Sequence, residues 1–159
     1  MKHTLSILVE DKPGVLTRVA GLFARRGFNI ESLAVGSSED PALSRITITI
    51  DADAHPVDQV TKQLHKLINV IKIRDLDPSS SYEAELLLVK VAGEGEKRTE
   101  VLQIAEIFKA KIVDVDRRHV TLRVVGTADK VEALLELMKP LGILEVVRTG
   151  TIAIGRGRG

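Results

Sequence analysis

From Thr4 to Val9, apolar Leu5, Ile7 and Val9 alternate with Thr4, Ser6 and Leu8, the period-two pattern of a half-buried strand. After DKPGV (Asp11–Val15) the spacing changes. Val15, Leu16, Val19, Ala20, Leu22 and Phe23 mark the buried stripe of a helix. Asp11 is placed to cap that helix, and Pro13 falls near its first position, where a missing N–H does no harm. Arg25 and Arg26 suit the negative helix end. Gly27 is the expected left-handed stop, with Phe28 folding back on the last turn. Asn29–Gly36 then reads as a strand and Ser37–Pro41 as a loop. In Ser44–Asp51, Ile46, Ile48 and Ile50 point one way and Arg45, Thr47 and Thr49 the other, which predicts an antiparallel sheet wet on one side. Val57, Val60, Leu64 and Leu67 keep helical spacing, and Ile71 and Ile73 carry a fourth strand.

The order then repeats after DPSSS (Asp77–Ser81), a linker by composition. Leu86–Val91 is a strand, and Val101, Ile104, Ala105 and Phe108 stripe a helix. Ile112–Val115 and Val120–Val125 are strands around the turn Asp116–His119. Thr127 caps a helix that buries Val131, Leu134, Leu135 and Met138. Leu144–Val147, with Ile152–Ile154, closes the sheet. The offset of about 80 residues is too long for a solenoid unit and suits a duplicated small domain. The predicted class is α+β, with two tandem ferredoxin-like βαββαβ domains: 1–77, a linker at 78–82, and 83–159.

Each domain has under about 80 residues and a marginal core, and the fold leaves its second and fourth strands at the edges. Pairing with another copy would cover an open edge, so a dimer or higher is expected. On strict alternation, Phe28, Ile30, Ser32 and Ala34 share one face and Asn29, Glu31, Leu33 and Val35 the other. Apolar groups on both faces mean either a bulge near Ser32 or protein on both sides. Gly14, Thr17, Gly21 and Ala24 form a stripe of small residues that another backbone can approach, or are simply exposed.

Composition narrows the chemistry. The 159 residues carry a net charge of +1, so no global field points to nucleic acid or an anionic membrane. Cysteine is absent, which removes disulfides and thiolate chemistry. The opening MKHTLSILVED has no apolar run of signal-peptide length, and no stretch reaches the roughly 20 apolar residues of a membrane span; a cytoplasmic chain is expected. Aromatics make up 3%, and central-strand positions hold Ile, Thr, Leu and Val, against base-stacking RNA recognition. Asp51-x-Asp53-x-His55 offers metal-ligand types on one strand face, and Asp114, Asp116 and His119 look similar; both read better as turns. GEGEK (Gly93–Lys97) lacks P-loop spacing. The loop DKPGV remains: helix-start N–H groups, with Gly14 leaving access, suit a carboxylate or phosphate. Asn29 is either turn chemistry or a ligand contact.

ILVEDKPGVLTRVAGLFARRGFNIESLAVG, followed by LSRITI, QLHKLINVIKIRDL, ELLLVKV and IFKAKIVDV, resembles the small, regulatory subunit of acetolactate synthase (acetohydroxyacid synthase) over nearly the whole chain. The resemblance implies an N-terminal ACT domain and a C-terminal ACT-like domain. It implies a non-catalytic subunit that activates a catalytic partner and confers feedback inhibition by a branched-chain amino acid, usually valine. ACT domains pair through their second strands, with the effector at that interface. On this chain the site would comprise Asp11, Gly14, Val15 and Leu16 from one copy, with Asn29 and Ile30 from its neighbour. Gly14 and Val15 N–H groups would take the carboxylate, Asn29 the ammonium, and Leu16 and Ile30 would line the pocket unless they are ordinary core. The family often has Asn at the position of Asp11; a carboxylate there either aids the ammonium or repels the effector carboxylate. No cofactor is expected on this chain; thiamine diphosphate, flavin (FAD) and magnesium belong to the catalytic subunit. Leu102 and Ile107 are candidates for partner contact. The rival reading is a free-standing amino-acid sensor.

Overall fold

The computed structural model describes residues 2–51 and 57–157. These fall into two compact units. One comprises the chain up to Tyr82 together with the segment from Thr151 onward; the other is Glu83–Gly150. By sequence that last segment goes with 83–159; by packing it clusters with the first unit.

In the first unit, β1 (Lys2–Glu10), α1 (Val15–Arg25), β2 (Asn29–Ser37), β3 (Leu43–Asp51), α2 (Val57–His65) and β4 (Val70–Leu76) follow in order. The sheet is antiparallel with order β2-β3-β1-β4. Leu5, Ile7 and Val9 of β1 and Ile46, Ile48 and Ile50 of β3 form the helix-facing layer, packed on Val15, Val19 and Phe23 of α1 and on Val60 and Leu64 of α2. The second unit repeats this with β5 (Ser81–Ala92), α3 (Glu96–Ile107), β6 (Lys111–Val115), β7 (His119–Gly126), α4 (Ala128–Met138) and β8 (Ile143–Arg148), in sheet order β6-β7-β5-β8. A last strand, β9 (Ile152–Gly155), pairs with β5. The linker of the sequence reading is a hydrogen-bonded turn: Pro78–Ser80 forms one 3-10 turn, capped by the Asp77 carboxylate accepting from the Ser79 N–H at 2.9 Å.

The stop of α1 follows the sequence closely. Gly27 is left-handed, φ 77. Its N–H donates to Ala24 O at 3.2 Å, and the Phe28 N–H donates to Phe23 O at 3.0 Å. That pair of bonds, with Phe28 set edge-on against Phe23 at 6.1 Å between ring centres, is a complete Schellman closure. α3 ends the same way, with Lys109 N–H on Glu106 O and Ala110 N–H on Ala105 O, yet its left-handed residue is Lys109, φ 55.

The helix starts differ from expectation in one place. Thr127 caps α4 by accepting the Lys130 N–H, as its sequence suggests. Asp11 does not cap α1: Gly14 holds the cap position with φ 85, and no side chain bonds the first turn.

The apparent two-sidedness of β2 has an internal cause. Asn29 pairs with Asp51 and Ile30 with Ile50, but the next pair is Ser32 with Thr49. Glu31 is therefore the extra residue of a β-bulge. Beyond it the parity flips, so Ile30, Leu33 and Val35 all share the helix-facing side while Asn29, Ser32 and Ala34 share the helix-free side. β6 has the same irregularity between Ile112 and Asp114.

Candidate functional site

The loop after β1 is pinned on two sides. The Asp11 N–H donates to Ala42 O at 3.0 Å, which ties it to the start of β3. Glu10 bonds through its backbone N–H to Asn69 O at 2.9 Å, and its carboxylate meets Lys12 Nζ at 2.8 Å and Asn69 Nδ2 at 3.4 Å. The Lys12 ammonium holds the Glu10 carboxyl below its ordinary range. Asn69 Oδ1 in turn accepts from Arg18 Nη1 at 2.9 Å, so the second turn of α1 is braced to the entry of β4. Asn69 is 91% removed from solvent and joins elements far apart in sequence, which is why no local pattern reveals it.

At the helix start itself, Gly14 is exposed, and its φ of 85 is the reason for glycine: an added Cβ would meet nothing within 4 Å, but the conformation strains any other residue. Val15 is core, and its N–H donates to Lys12 O at 3.4 Å. That corrects the expected donor pair. At this helix start, the N–H groups for which no acceptor is found among the described residues are those of Gly14, Leu16 and Thr17. The first turn carries no acidic side chain, whereas α2, α3 and α4 each carry one. This end of α1 thus keeps both donors and dipole for an anion. Leu16 is 40% exposed and so stands outside the core, beside the open donors.

Asn29 and Ile30 lie elsewhere. Asn29 is exposed and, among the described residues, its amide makes no hydrogen bond. Ile30 is half-buried against the first core, on the opposite sheet face from Asn29. Asn29 pairs with Asp51, and Asp51 with Lys2; the loop begins after Glu10, which pairs with Leu43. Eight ladder steps separate the two ends, roughly 27 Å at strand rise. One chain therefore brings Asp11, Gly14, Val15 and Leu16 together, and keeps Asn29 and Ile30 apart from them.

The metal-like groups resolve less. Asp53 and His55 lie outside the described residues. Asp116 Oδ1 accepts the N–H groups of Arg118 and His119, both at 2.8 Å, and its carboxylate meets His119 Nδ1 at 3.1 Å. Those bonds, the Arg118 N–H foremost, hold its pKa down to about 2 and make it a turn residue. No helix among the described residues is long and apolar enough to cross a membrane.

A family model described as AHAS small subunit-like ACT domain matches residues 5–72, and one described as small subunit of acetolactate synthase matches residues 84–157. The chain belongs to the acetolactate synthase small-subunit family. Within that family it is similar to the probable acetolactate synthase small subunit of Archaeoglobus fulgidus, 53% identical over 99% of this chain and 98% of that one. It is likewise similar to the acetolactate synthase small subunit of Mycobacterium leprae, 50% identical over 98% of this chain and 92% of that one. The crystal structure of the acetolactate synthase small subunit from Thermotoga maritima superposes with a TM-score of 0.91 at 42% identity, covering 100% of this chain and 99% of that one. A small subunit of this kind implies a catalytic chain beside it. The tandem ferredoxin-like architecture of the acetolactate synthase small subunits is thus the frame in which the loop and β2 stand.

Proposed function

We propose that this chain is the regulatory subunit of an acetolactate synthase, raising the activity of a catalytic partner and making it sensitive to a branched-chain amino acid, with valine the first candidate. The observation that supports the reading is that the uncapped start of α1 and the exposed Asn29 lie toward opposite ends of one open edge. The uncapped start of α1 suits a carboxylate. The exposed amide of Asn29, without a hydrogen bond among the described residues, suits an ammonium. Some 27 Å of ladder keeps them apart in one chain, and a second copy supplies the missing half. β2 is an edge strand of nine residues centred on Leu33. Antiparallel pairing of two β2 edges about that centre sets Asn29 opposite Ser37 of the second copy. Ser37 pairs with Ser44, two residues from the Ala42 carbonyl that holds the loop. Exposed Leu16 and Val35 and the small stripe Thr17, Gly21 and Ala24 supply apolar and close-approach surface on that side.

In this arrangement the N–H groups of Gly14, Leu16 and Thr17 take the effector carboxylate, the Asn29 amide oxygen accepts from the ammonium, and Leu16 flanks the aliphatic side chain. Ile30 supports the strand from the core side. Asp11, exposed beside the donors, favours the ammonium end of a zwitterion and disfavours simple anions. The subunit works as a cytoplasmic homodimer. Thiamine diphosphate, flavin and magnesium serve the catalytic chain, and exposed Leu102 and Ile107 on α3 offer it an apolar contact.

The test is to assay acetolactate formation by the catalytic subunit with and without this chain and with and without valine, alongside calorimetry on the isolated chain. Asn29→Ala should weaken valine binding by about 1.5–3 kcal/mol, the value of a hydrogen bond to a charged group, or roughly 10- to 150-fold. No change in rate on adding the chain, together with no valine sensitivity, refutes the subunit assignment. Unaltered affinity in Asn29→Ala refutes the site and leaves the free-standing sensor as the alternative.

A further inference from the structure

The final strand is the feature that this reading leaves unused. The chain leaves the second unit at Gly150, φ 82, and enters the first at Thr151. There it is fastened at both ends. Thr151 is buried, and its N–H donates to Ser32 Oγ at 3.4 Å. Arg156 donates its backbone N–H to Ser80 O at 2.7 Å and its Nε to Ser81 O at 3.2 Å. Between these points β9 pairs with β5, with Ile152 and Ile154 outward.

The docking position is informative. Ser32 is the residue after the Glu31 bulge, in one cross-strand row with Thr49 and Thr4 on the helix-free face. The adjacent row on that face is Asn29, Asp51 and Lys2. Thr151 therefore sits against the row next to the proposed ammonium contact, across a bulge that interrupts the ladder between them. In the same row Thr49 Oγ1 is buried and, among the described residues, has no hydrogen-bond partner. A long bond to Ser32 and, among the described residues, an unpartnered hydroxyl one residue across the sheet make this row less tightly held than a fully bonded one, and coupling between sites acts through an element that can shift.

We infer that β9 is the relay between the effector site and the second unit, with Ser32 and Thr151 as its contact points. A ligand held by Asn29 shifts the start of β2. The bulge lets that shift pass to Ser32 without breaking the rest of the β2–β3 ladder. The Thr151 N–H follows Ser32, and the peptide bond to Gly150 carries the displacement toward β8. The inference rests on the effector reading above and adds the residues that transmit it.

The experiment compares the unmodified chain, Ser32→Ala, and a chain ended after Gly150, each assembled with the catalytic subunit. Both altered chains should still raise acetolactate formation. The valine concentration for half-inhibition should rise about tenfold or more, within the ordinary range of coupling, while calorimetric valine affinity of each chain stays within about threefold of the unmodified one. In the unmodified chain, exchange of the Thr151 amide should change on adding valine. Unchanged inhibition in Ser32→Ala with unchanged Thr151 exchange overturns the relay. Binding lost in step with inhibition also overturns it, making β9 only a wall of the site. If the shortened chain does not fold, Ser32→Ala and the exchange measurement decide alone. An unmodified chain that binds no branched-chain amino acid refutes the effector reading itself, and the relay with it.

Discussion

Gly27 and Lys109 occupy the same place in the two units, the residue that closes a helix before an edge strand, and both are left-handed, with φ of 77 and 55. Lys109 is exposed, so its replacement by glycine removes conformational strain and little else. A non-glycine residue in that conformation costs about 1–2 kcal/mol. Glycine returns roughly 0.5–1 kcal/mol of this through its greater freedom in the unfolded chain. Lys109→Gly should therefore stabilise the second unit by about 0.5–1 kcal/mol, and Gly27→Lys should destabilise the first by about as much. A global melt would blur two units, so the assay is amide exchange at Phe28 and Ala110. Each donates to a carbonyl five residues back, on Phe23 and Ala105, and so reports its own closure. Exchange at Ala110 should slow about two- to fivefold in Lys109→Gly with Phe28 unmoved; Gly27→Lys should quicken Phe28 and leave Ala110 alone. Faster exchange at Ala110 in the glycine variant would show that left-handed strain is not what separates the two closures. Because Gly27 stands two residues before Asn29, Gly27→Lys should also lower effector affinity, which Lys109→Gly should not.

Two further outcomes follow from side chains outside the site. The Glu85 carboxylate is 2% exposed and held by Arg148 through Nη2 at 2.6 Å and Nε at 2.8 Å, while the same guanidinium reaches Glu132 on α4. Arg148→Met removes this bidentate cation from the buried carboxylate and should cost about 3 kcal/mol in urea unfolding, with Glu85→Leu in the same chain restoring most of it; a loss under about 1 kcal/mol would mean that the pair behaves as a surface bridge. The Asp116 carboxyl, held at about 2 by the Arg118 N–H, the His119 ring and the His119 N–H, lies below its unfolded value. Its contribution to the turn is thus complete above about pH 4 and lost as pH falls from there toward 2. A carboxyl carbon titration of Asp116 with a midpoint near 4 would contradict that.

Much of the fold is legible because alternation and helical spacing are local. Ile46, Ile48 and Ile50, the stripe Val15, Val19 and Phe23, and the Gly27–Phe28 closure each show their role within a few residues. β2 marks where that stops. A periodic reading cannot see a residue that steps out of the ladder, so Glu31 made Leu33 and Val35 look misplaced until the register put them beside Ile30. The apolar residues of β2 are thus not themselves a sign of a partner. The proposed dimer rests instead on the open edge, with the uncapped start of α1 near one end and Asn29 at the other. At the loop, the sequence points to Gly14 for clearance, while its backbone angle is the stronger reason. The resemblance implies Val15 as a donor, but its N–H already donates to Lys12 O. The brace Glu10–Asn69–Arg18 and the pair Glu85–Arg148 join residues 51 to 63 positions apart, distances over which no spacing rule operates.

The return of Thr151 to Ser32 spans 119 residues, and it sets an order of events during synthesis. The sheet of the first unit has all four strands once Leu76 has emerged, but its fastening through Thr151 and Arg156 has to wait until the whole second unit has been made. The second unit, Glu83–Gly150, is complete before then and can fold as a block while the first waits. A nascent chain stalled just after Gly150 would carry a finished second unit and a first sheet without its strap, so quality control acting at that stage would find the defect in the first unit.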